Sequence, residues 1–261
     1  MQASPVAVFA EKNNIPCLKP EKLEEELEAI FTTSSQDDGP RKEIFQQENM
    51  RESKKDFQFD LLIVVAYGKI IPENILNMPK LGSINVHYSL LPKCRGASPI
   101  ESAILHGDTE TGITIQKMAF RIDSGPILAQ EKVEIGNDEK APDLCKRLTK
   151  IGAELLVKIM PDFIEGKIKA IPQDESQATY CKKIKKEDGL VNLKEELPGV
   201  LHNKFRAYAT WPRIFFFQNG KRIIITDAEL INNQFIIRKV LPESKKKISY
   251  EEFKRGLSTF F

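Results

Sequence analysis

One run of residues limits the fold more than any other. Leu61, Leu62, Ile63, Val64, Val65 and Ala66 follow one another without a polar break, between Asp60 and the Tyr67-Gly68 pair. A strand with one wet face alternates apolar and polar residues. A short continuous apolar run rich in β-branched side chains instead marks a strand covered on both faces, as in a parallel sheet flanked by helices. The neighbouring segments fit that reading. Ser4-Pro5 opens a helix expected over residues 5–12, with serine as cap and proline in the first turn. Residues 15–18 read as a short strand, and a second helix from about Pro20 carries Leu23, Leu27 and Ile30 on one face. A short helix is expected over residues 72–78 and a buried strand over 84–87. A helix follows that Ser98-Pro99 caps and Gly107-Asp108 stops. Residues 112–118 alternate as a half-buried strand does. Asp123-Ser124-Gly125-Pro126 is a tight turn, and a strand follows over 127–133. Residues 141–164 form a long amphipathic helix with Leu144, Leu148, Ile151, Leu155 and Ile159 in register, which Pro161 should kink or split. Strands alternating with helices predict an open, Rossmann-like α/β sheet, with ligands beyond the carboxyl ends of its strands.

Past Ala170 the pattern changes. Residues 172–178 are polar, and Lys182, Lys183, Lys185 and Lys186 cluster after them. A short helix is expected over 198–208. Two apolar runs then flank Asn219-Gly220, the strongest short-range hairpin signal. Further strands are expected over 228–230 and 234–240, and a closing helix over 249–256. The expected organisation is a catalytic α/β domain over 1–171, a linker over 172–196 and a small β domain over 197–261. Residues 33–56, polar and mixed in charge, read as a surface insertion in the first domain.

The net charge of +2 excludes a polycation, so nucleic-acid contact would rest on local patches such as the lysine cluster. The four cysteines make no C-x-x-C pair, which argues for reduced thiols and against a zinc site. No apolar run approaches the roughly 20 residues of a membrane span.

The strand over 84–87 carries the chemistry. Alternation puts Asn85 and His87 on one face and Ile84 and Val86 on the other. An amide and an imidazole at a strand end can receive a reacting atom, and the turn Ser89, Leu90, Leu91, Pro92 closes the site. A carboxylate near the imidazole, expected to be Asp123, would fix its tautomer. Asn-x-His alone is also what a turn asparagine and a structural histidine look like. The longer string decides between them.

That string, Ile-Asn-Val-His-Tyr-Ser-Leu-Leu-Pro-Lys-Cys-Arg-Gly-Ala-Ser-Pro-Ile over 84–100, resembles the signature of the methionyl-tRNA formyltransferases. The resemblance continues through residues 107–114 and through Ile122-Asp123-Ser124-Gly125, and it covers nearly the whole chain from Ser4. It includes Tyr180 with the lysines after it, Arg206-Ala207-Tyr208, Trp211-Pro212 and the region 245–256. The resemblance implies Asn85, His87 and Asp123 as the catalytic set, and Ser89, Leu90, Leu91 and Pro92 as the folate-contacting turn. It implies 10-formyltetrahydrofolate as formyl donor, no metal, and the methionine α-amine of initiator Met-tRNA as acceptor in translation initiation. It also implies a C-terminal barrel related to the OB fold. Lys182, Lys183, Lys185 and Arg206, with Lys186, Lys204, Arg213, Lys221 and Arg222 around them, are the expected phosphate contacts. A cytosolic monomer is expected.

The sequence also departs from the family. Its members open with a strand, a helix and a further strand ahead of the segment matching Ser4, and that opening is not in this sequence. Tyr88 stands where a small residue or proline is usual, and Cys94 where an aromatic is common. The C-terminal β region is short for a complete barrel. Two rival readings follow: another enzyme using the same site, either a formyltransferase acting on an amino sugar or a purine precursor or a formyl-folate hydrolase, and a non-catalytic remnant.

Overall fold

The computed structural model describes residues 4–15, 17 and 59–258. The expected strand over 15–18, the second helix and the 33–56 insertion fall outside them wholly or in large part. Helix α1, Pro5–Lys12, forms as expected, with the Ser4 hydroxyl accepting from Ala7 N at 3.2 Å. The apolar run becomes strand β1, Leu62–Val65, followed by the short helix α2, Glu73–Leu76. Strand β2, Ser83–His87, lies parallel to β1, with Val64 opposite Asn85. Next come the two-residue strand β3, Arg95–Gly96, helix α3, Pro99–His106, and the antiparallel strands β4, Glu110–Lys117, and β5, Ile127–Glu134. Helix α4, Ala141–Ile164, packs on β4 and β5.

The first sheet therefore has the order β1-β2-β4-β5, with one parallel pair and two antiparallel pairs. It is mixed rather than the parallel sheet that the apolar run suggested. Among the described residues β1 pairs only with β2, and Ile63 and Val65 stay 42% and 47% exposed. Among the described residues, cover comes from the opposite face of β1, where Val64 packs with Ile71, Ile75 and Leu76. Two local expectations also change. Ser98 does not cap α3 with its side chain; Gly107, in the left-handed region at φ 75°, ends that helix as expected. Pro161 does not split α4, which runs through it to Ile164 and loses only the bond that its N–H would have made to the preceding turn.

Strand β6, Tyr180–Cys181, pairs with β3 and ties the segment after α4 back to the first sheet, a contact the sequence did not suggest. Helix α5, Pro198–Ala207, packs against α3. Strands β7, Phe215–Gln218, β8, Lys221–Ile231, β9, Gln234–Pro242, and β10, Ile248–Ser249, make an antiparallel sheet in the order β10-β9-β8-β7. Asn219 and Gly220 both have positive φ, as a tight hairpin with their sequence requires. The strand expected over 228–230 is the far end of β8, and Asn232-Asn233, both also at positive φ, turn the chain into β9. Helix α6, Tyr250–Ser258, closes the chain. The two end strands, β7 and β10, do not pair, so this is an open four-stranded sheet, in keeping with a C-terminal β region too short for a complete barrel. One apolar core runs from Ile84, Ile113 and Leu148 under the first sheet to Phe205, Ile225 and Val240 under the second.

Candidate active site

The alternation of β2 sorts its residues as expected. Ile84 and Val86 enter the core, and Asn85 and His87 share the opposite face. Asp123 reaches them from the turn between β4 and β5. Its backbone is left-handed at φ 49°, which aspartate tolerates better than most residues. The turn also needs Gly125, since a Cβ there would run into the Lys117 carbonyl.

Three donors fix the Asp123 carboxylate. Oδ2 accepts from Gly96 N at 2.8 Å, and Oδ1 accepts from Gln116 Nε2 at 3.0 Å and from Asn85 Nδ2 at 3.4 Å. A Cβ on Gly96, whose φ is 115°, would strike the Cys181 carbonyl, so only glycine brings that N–H to the carboxylate. Oδ2 also lies 3.7 Å from His87 Nδ1. The other ring nitrogen, Nε2, sits 2.9 Å from the Cys94 carbonyl oxygen. A carbonyl can only accept, so Nε2 carries the proton of the neutral ring and Nδ1 is left with its lone pair. The tautomer is thus set by the Cys94 backbone and not, as expected, by the carboxylate. Asp123 faces the nitrogen that can take up a proton.

Behind Asp123 lies a polar network that no sequence motif announces. Gln173 Nε2 donates to the Asp123 and Gly125 carbonyls at 2.9 and 2.7 Å. Arg95, 1% exposed, donates to Gln173 Oε1 through Nε and Nη2 at 3.0 and 2.8 Å, and to both Glu175 oxygens at 3.1 and 2.8 Å. Glu175 holds the guanidinium charged, and the guanidinium holds the Glu175 carboxyl below the usual range. The signal available in the sequence was Arg95 itself, a charged residue inside the longest motif. Gln116 and Thr114 gave the opposite signal. They are the polar positions of an alternating strand, yet both are buried completely or nearly so, because their partners come from other segments.

The turn over 89–92 is propped from β4 and β5. Thr114 Oγ1 donates to the Ser89 carbonyl at 2.7 Å and accepts from Leu91 N at 3.1 Å. Gln130 Nε2 donates to the Leu91 carbonyl at 2.8 Å. The Ser89 hydroxyl is spent on the Lys93 carbonyl, and the Leu91 side chain is buried. Leu90 and Pro92 are therefore the turn residues with side-chain surface to offer. A cavity of about 300 Å³ opens beside this turn, between Ser89, Leu90 and Lys93 and the corner at Gly107, Asp108 and Thr109. Asn85, His87 and Asp123 do not line it.

The expected phosphate contacts divide. Lys182, Lys183, Lys185 and Lys186 stand on the surface near β6, except that the backbone N–H of Lys185 binds Asp188. Lys204 is paired with Glu196 at 2.6 Å. Arg206 is turned inward and 6% exposed, with its guanidinium on Asn203 Oδ1 at 2.7 Å and the Gly136 carbonyl at 3.2 Å. It braces the core and presents no charge to a phosphate. Among the described residues no cluster of three or more His, Cys, Asp or Glu is placed to hold a metal, and no helix is long and apolar enough to cross a membrane.

Comparison with known proteins places this geometry in context. The family described as formyl transferase matches residues 1–160, and its C-terminal domain matches residues 183–236. The chain is 38% identical over 231 residues to a methionyl-tRNA formyltransferase of Halalkalibacterium halodurans, covering 88% of this chain and 65% of that protein. It is 35% identical over 239 residues to that of Staphylococcus aureus, covering 90% and 68%. The chain thus spans about two thirds of the length of these relatives. Among solved structures, the sugar 3N-formyl transferase WlaRD has a TM-score of 0.59 at 20% identity, covering 92% of this chain and 82% of that one. HypX from Aquifex aeolicus, solved with tetrahydrofolic acid, has a TM-score of 0.59 at 17% identity, covering 74% and 38%. At these identities the likeness is one of fold.

Proposed function

The chain belongs to the formyl transferase family, and from that premise we propose that it transfers a formyl group from 10-formyltetrahydrofolate to the methionine α-amine of initiator Met-tRNA. The observation that carries the reading is the convergence of Asn85, His87 and Asp123, with the Asp123 carboxylate 3.4 Å from the Asn85 amide and 3.7 Å from Nδ1 of His87.

The amine nitrogen attacks the formyl carbon, and the formyl oxygen gathers negative charge. Asn85 gives one amide hydrogen to Asp123 and keeps the second for that oxygen. Such a donor contributes about 3 kcal/mol in comparable sites. The attacking amine must lose a proton. His87 Nδ1 is the acceptor, and the imidazolium so formed faces Asp123 Oδ2 across 3.7 Å. Collapse of the tetrahedral intermediate breaks the bond from carbon to the folate nitrogen, which takes the proton back from His87. Atoms and charge balance without a covalent bond to the protein and without a metal. The folate lies against Leu90 and Pro92, with the cavity beside the turn available to it. Support for a folate donor comes from HypX, solved with tetrahydrofolic acid, and from the Helicobacter canadensis N-formyltransferase, solved with folinic acid and dTDP-3-aminofucose.

The acceptor reading rests on the relatives named methionyl-tRNA formyltransferase at 35–38% identity, against 20% for the sugar enzyme WlaRD. Lys182, Lys183 and Lys185 are proposed to meet tRNA phosphates; Arg206 is withdrawn from that set. The division into residues 1–171, 172–196 and 197–261 also remains our reading, as does action in the cytosol as a monomer. The test is to give the purified chain 10-formyltetrahydrofolate with initiator Met-tRNA or with a dTDP-amino sugar. Formylation of the tRNA alone is expected. Turnover of the sugar alone would move the chain to the rival reading, and turnover of neither would leave it a remnant.

A further inference from the structure

A second cavity, about 320 Å³, lies where the end of α5 meets the C-terminal sheet, away from Asn85, His87 and Asp123. Its wall combines two chemistries. Phe205, Ile214, Ile225 and Leu241 are apolar, while Lys140, Arg213 and Lys247 bring three cations. No carboxylate lines it, and none of the three cations is in an ion pair with a described residue. The acids next to Lys140 in sequence are committed elsewhere, Glu139 to Arg147 at 2.8 Å and Asp138 to His202 at 3.3 Å. The Lys140 ammonium lies 5.0 Å from the centre of the Phe205 ring. Lys140 and Arg213 are both half-buried, and an unpaired cation in that setting favours a counter-ion.

Two further features border the cavity. The pairing of β8 with β9 slips between Ile225 and Asp227, so Thr226 sits in a bulge. Bulges re-aim side chains and gather beside functional sites. The Thr226 hydroxyl is buried and has no hydrogen-bond partner. Arg213 is held at φ 62°, a left-handed conformation that arginine adopts at a cost. An orphaned hydroxyl and three unpaired cations around an apolar floor ask for a ligand with a multiply charged acceptor group and a compact apolar body.

We propose that this cavity binds a nucleoside monophosphate, with the phosphate on Lys140, Arg213 and Lys247, an oxygen accepting from Thr226, and the base over the apolar floor. The cavity is at the small end of the range for ligand pockets, roughly 300–1,000 Å³, and so admits one nucleotide unit. A free nucleotide and the 5′-terminal nucleotide of an RNA strand share this chemistry. The test measures binding of AMP, adenosine, inorganic phosphate and a 5′-phosphorylated RNA trinucleotide to the full chain by calorimetry. AMP is expected to bind at least ten-fold tighter than adenosine or phosphate. Arg213→Met and Lys247→Met should each weaken AMP at least ten-fold and Thr226→Val several-fold, with unchanged thermal midpoints for Lys247→Met, whose side chain is exposed. Asp123→Asn should leave AMP binding as it is. A trinucleotide that binds tighter than AMP identifies an RNA end as the source, and one that binds no tighter identifies the free nucleotide; both support the pocket. Adenosine binding as well as AMP, or full AMP affinity in Lys247→Met and Arg213→Met together, overturns the proposal.

Discussion

His87 Nδ1 faces Asp123 Oδ2 across 3.7 Å, and because the Cys94 carbonyl holds a ring proton on Nε2, it is the Nδ1 lone pair of the neutral ring that meets the carboxylate. A lone pair opposite a carboxylate is a poor arrangement for a neutral ring and a good one for an imidazolium. Asp123→Asn keeps the shape and removes the charge, so formyl transfer should fall by about 10²–10⁴-fold, the usual worth of such proton-transfer help. Steady-state transfer to Met-tRNA is the measurement. Retention of most activity would take Asp123 out of the proton path.

The network behind Asp123 should show in stability as well as in rate. Gln173→Ala strips two acceptor contacts from buried Arg95 and two donor contacts from the Asp123 turn. A buried polar group left unpaired costs about 1–3 kcal/mol, more when charged, so the denaturant midpoint should drop accordingly. A variant with wild-type stability would mean that water replaces the amide at no cost.

Gly125→Ala tests the turn directly. The added methyl meets the Lys117 carbonyl, which β4 holds in place, so the backbone of the turn must move. Displacing a fixed backbone in this way should cost about 1–3 kcal/mol. Asp123 should be pulled off its three donors, with kcat falling more than KM rises. Unchanged kcat in a less stable protein would show that the carboxylate tolerates the displacement.

Acid should loosen the protein before its carboxylates titrate. Burial, with Arg206 and Lys140 adding to it and Asp138 opposing, pushes the His202 imidazole below its ordinary 6.5. The folded state then binds fewer protons than the unfolded state. The stability linked to His202 is complete above pH 6.5 and is lost as pH falls from there toward the folded value. The unfolding midpoint should decline as pH falls below 6.5, and His202→Asn should flatten that decline. An identical slope in the variant would assign the effect to other groups.

What the sequence determined by itself is local in origin. The period-two pattern over 84–87 sends Ile84 and Val86 into the core and sets Asn85 and His87 side by side, whatever the rest of the chain does. Asn219-Gly220 makes its hairpin because few other pairs accept two positive φ angles. The 3.6-residue period of Leu144, Leu148 and Leu155 buries one face of α4. The proposed catalytic trio and the proposed folate turn were legible only through the family string, since nothing local ties Asp123 to His87.

Only the tertiary structure decided how polar residues are paired. Gln116 and Thr114 read as solvent-facing and are buried, Arg206 reads as a surface cation and braces the core, and the Cys94 carbonyl sets a tautomer that no side chain reveals. The reason is physical. Burial of an apolar residue follows from its own transfer free energy and its place in a pattern, whereas burial of a polar residue depends on a partner at the right distance, which distant segments supply only once the chain has folded.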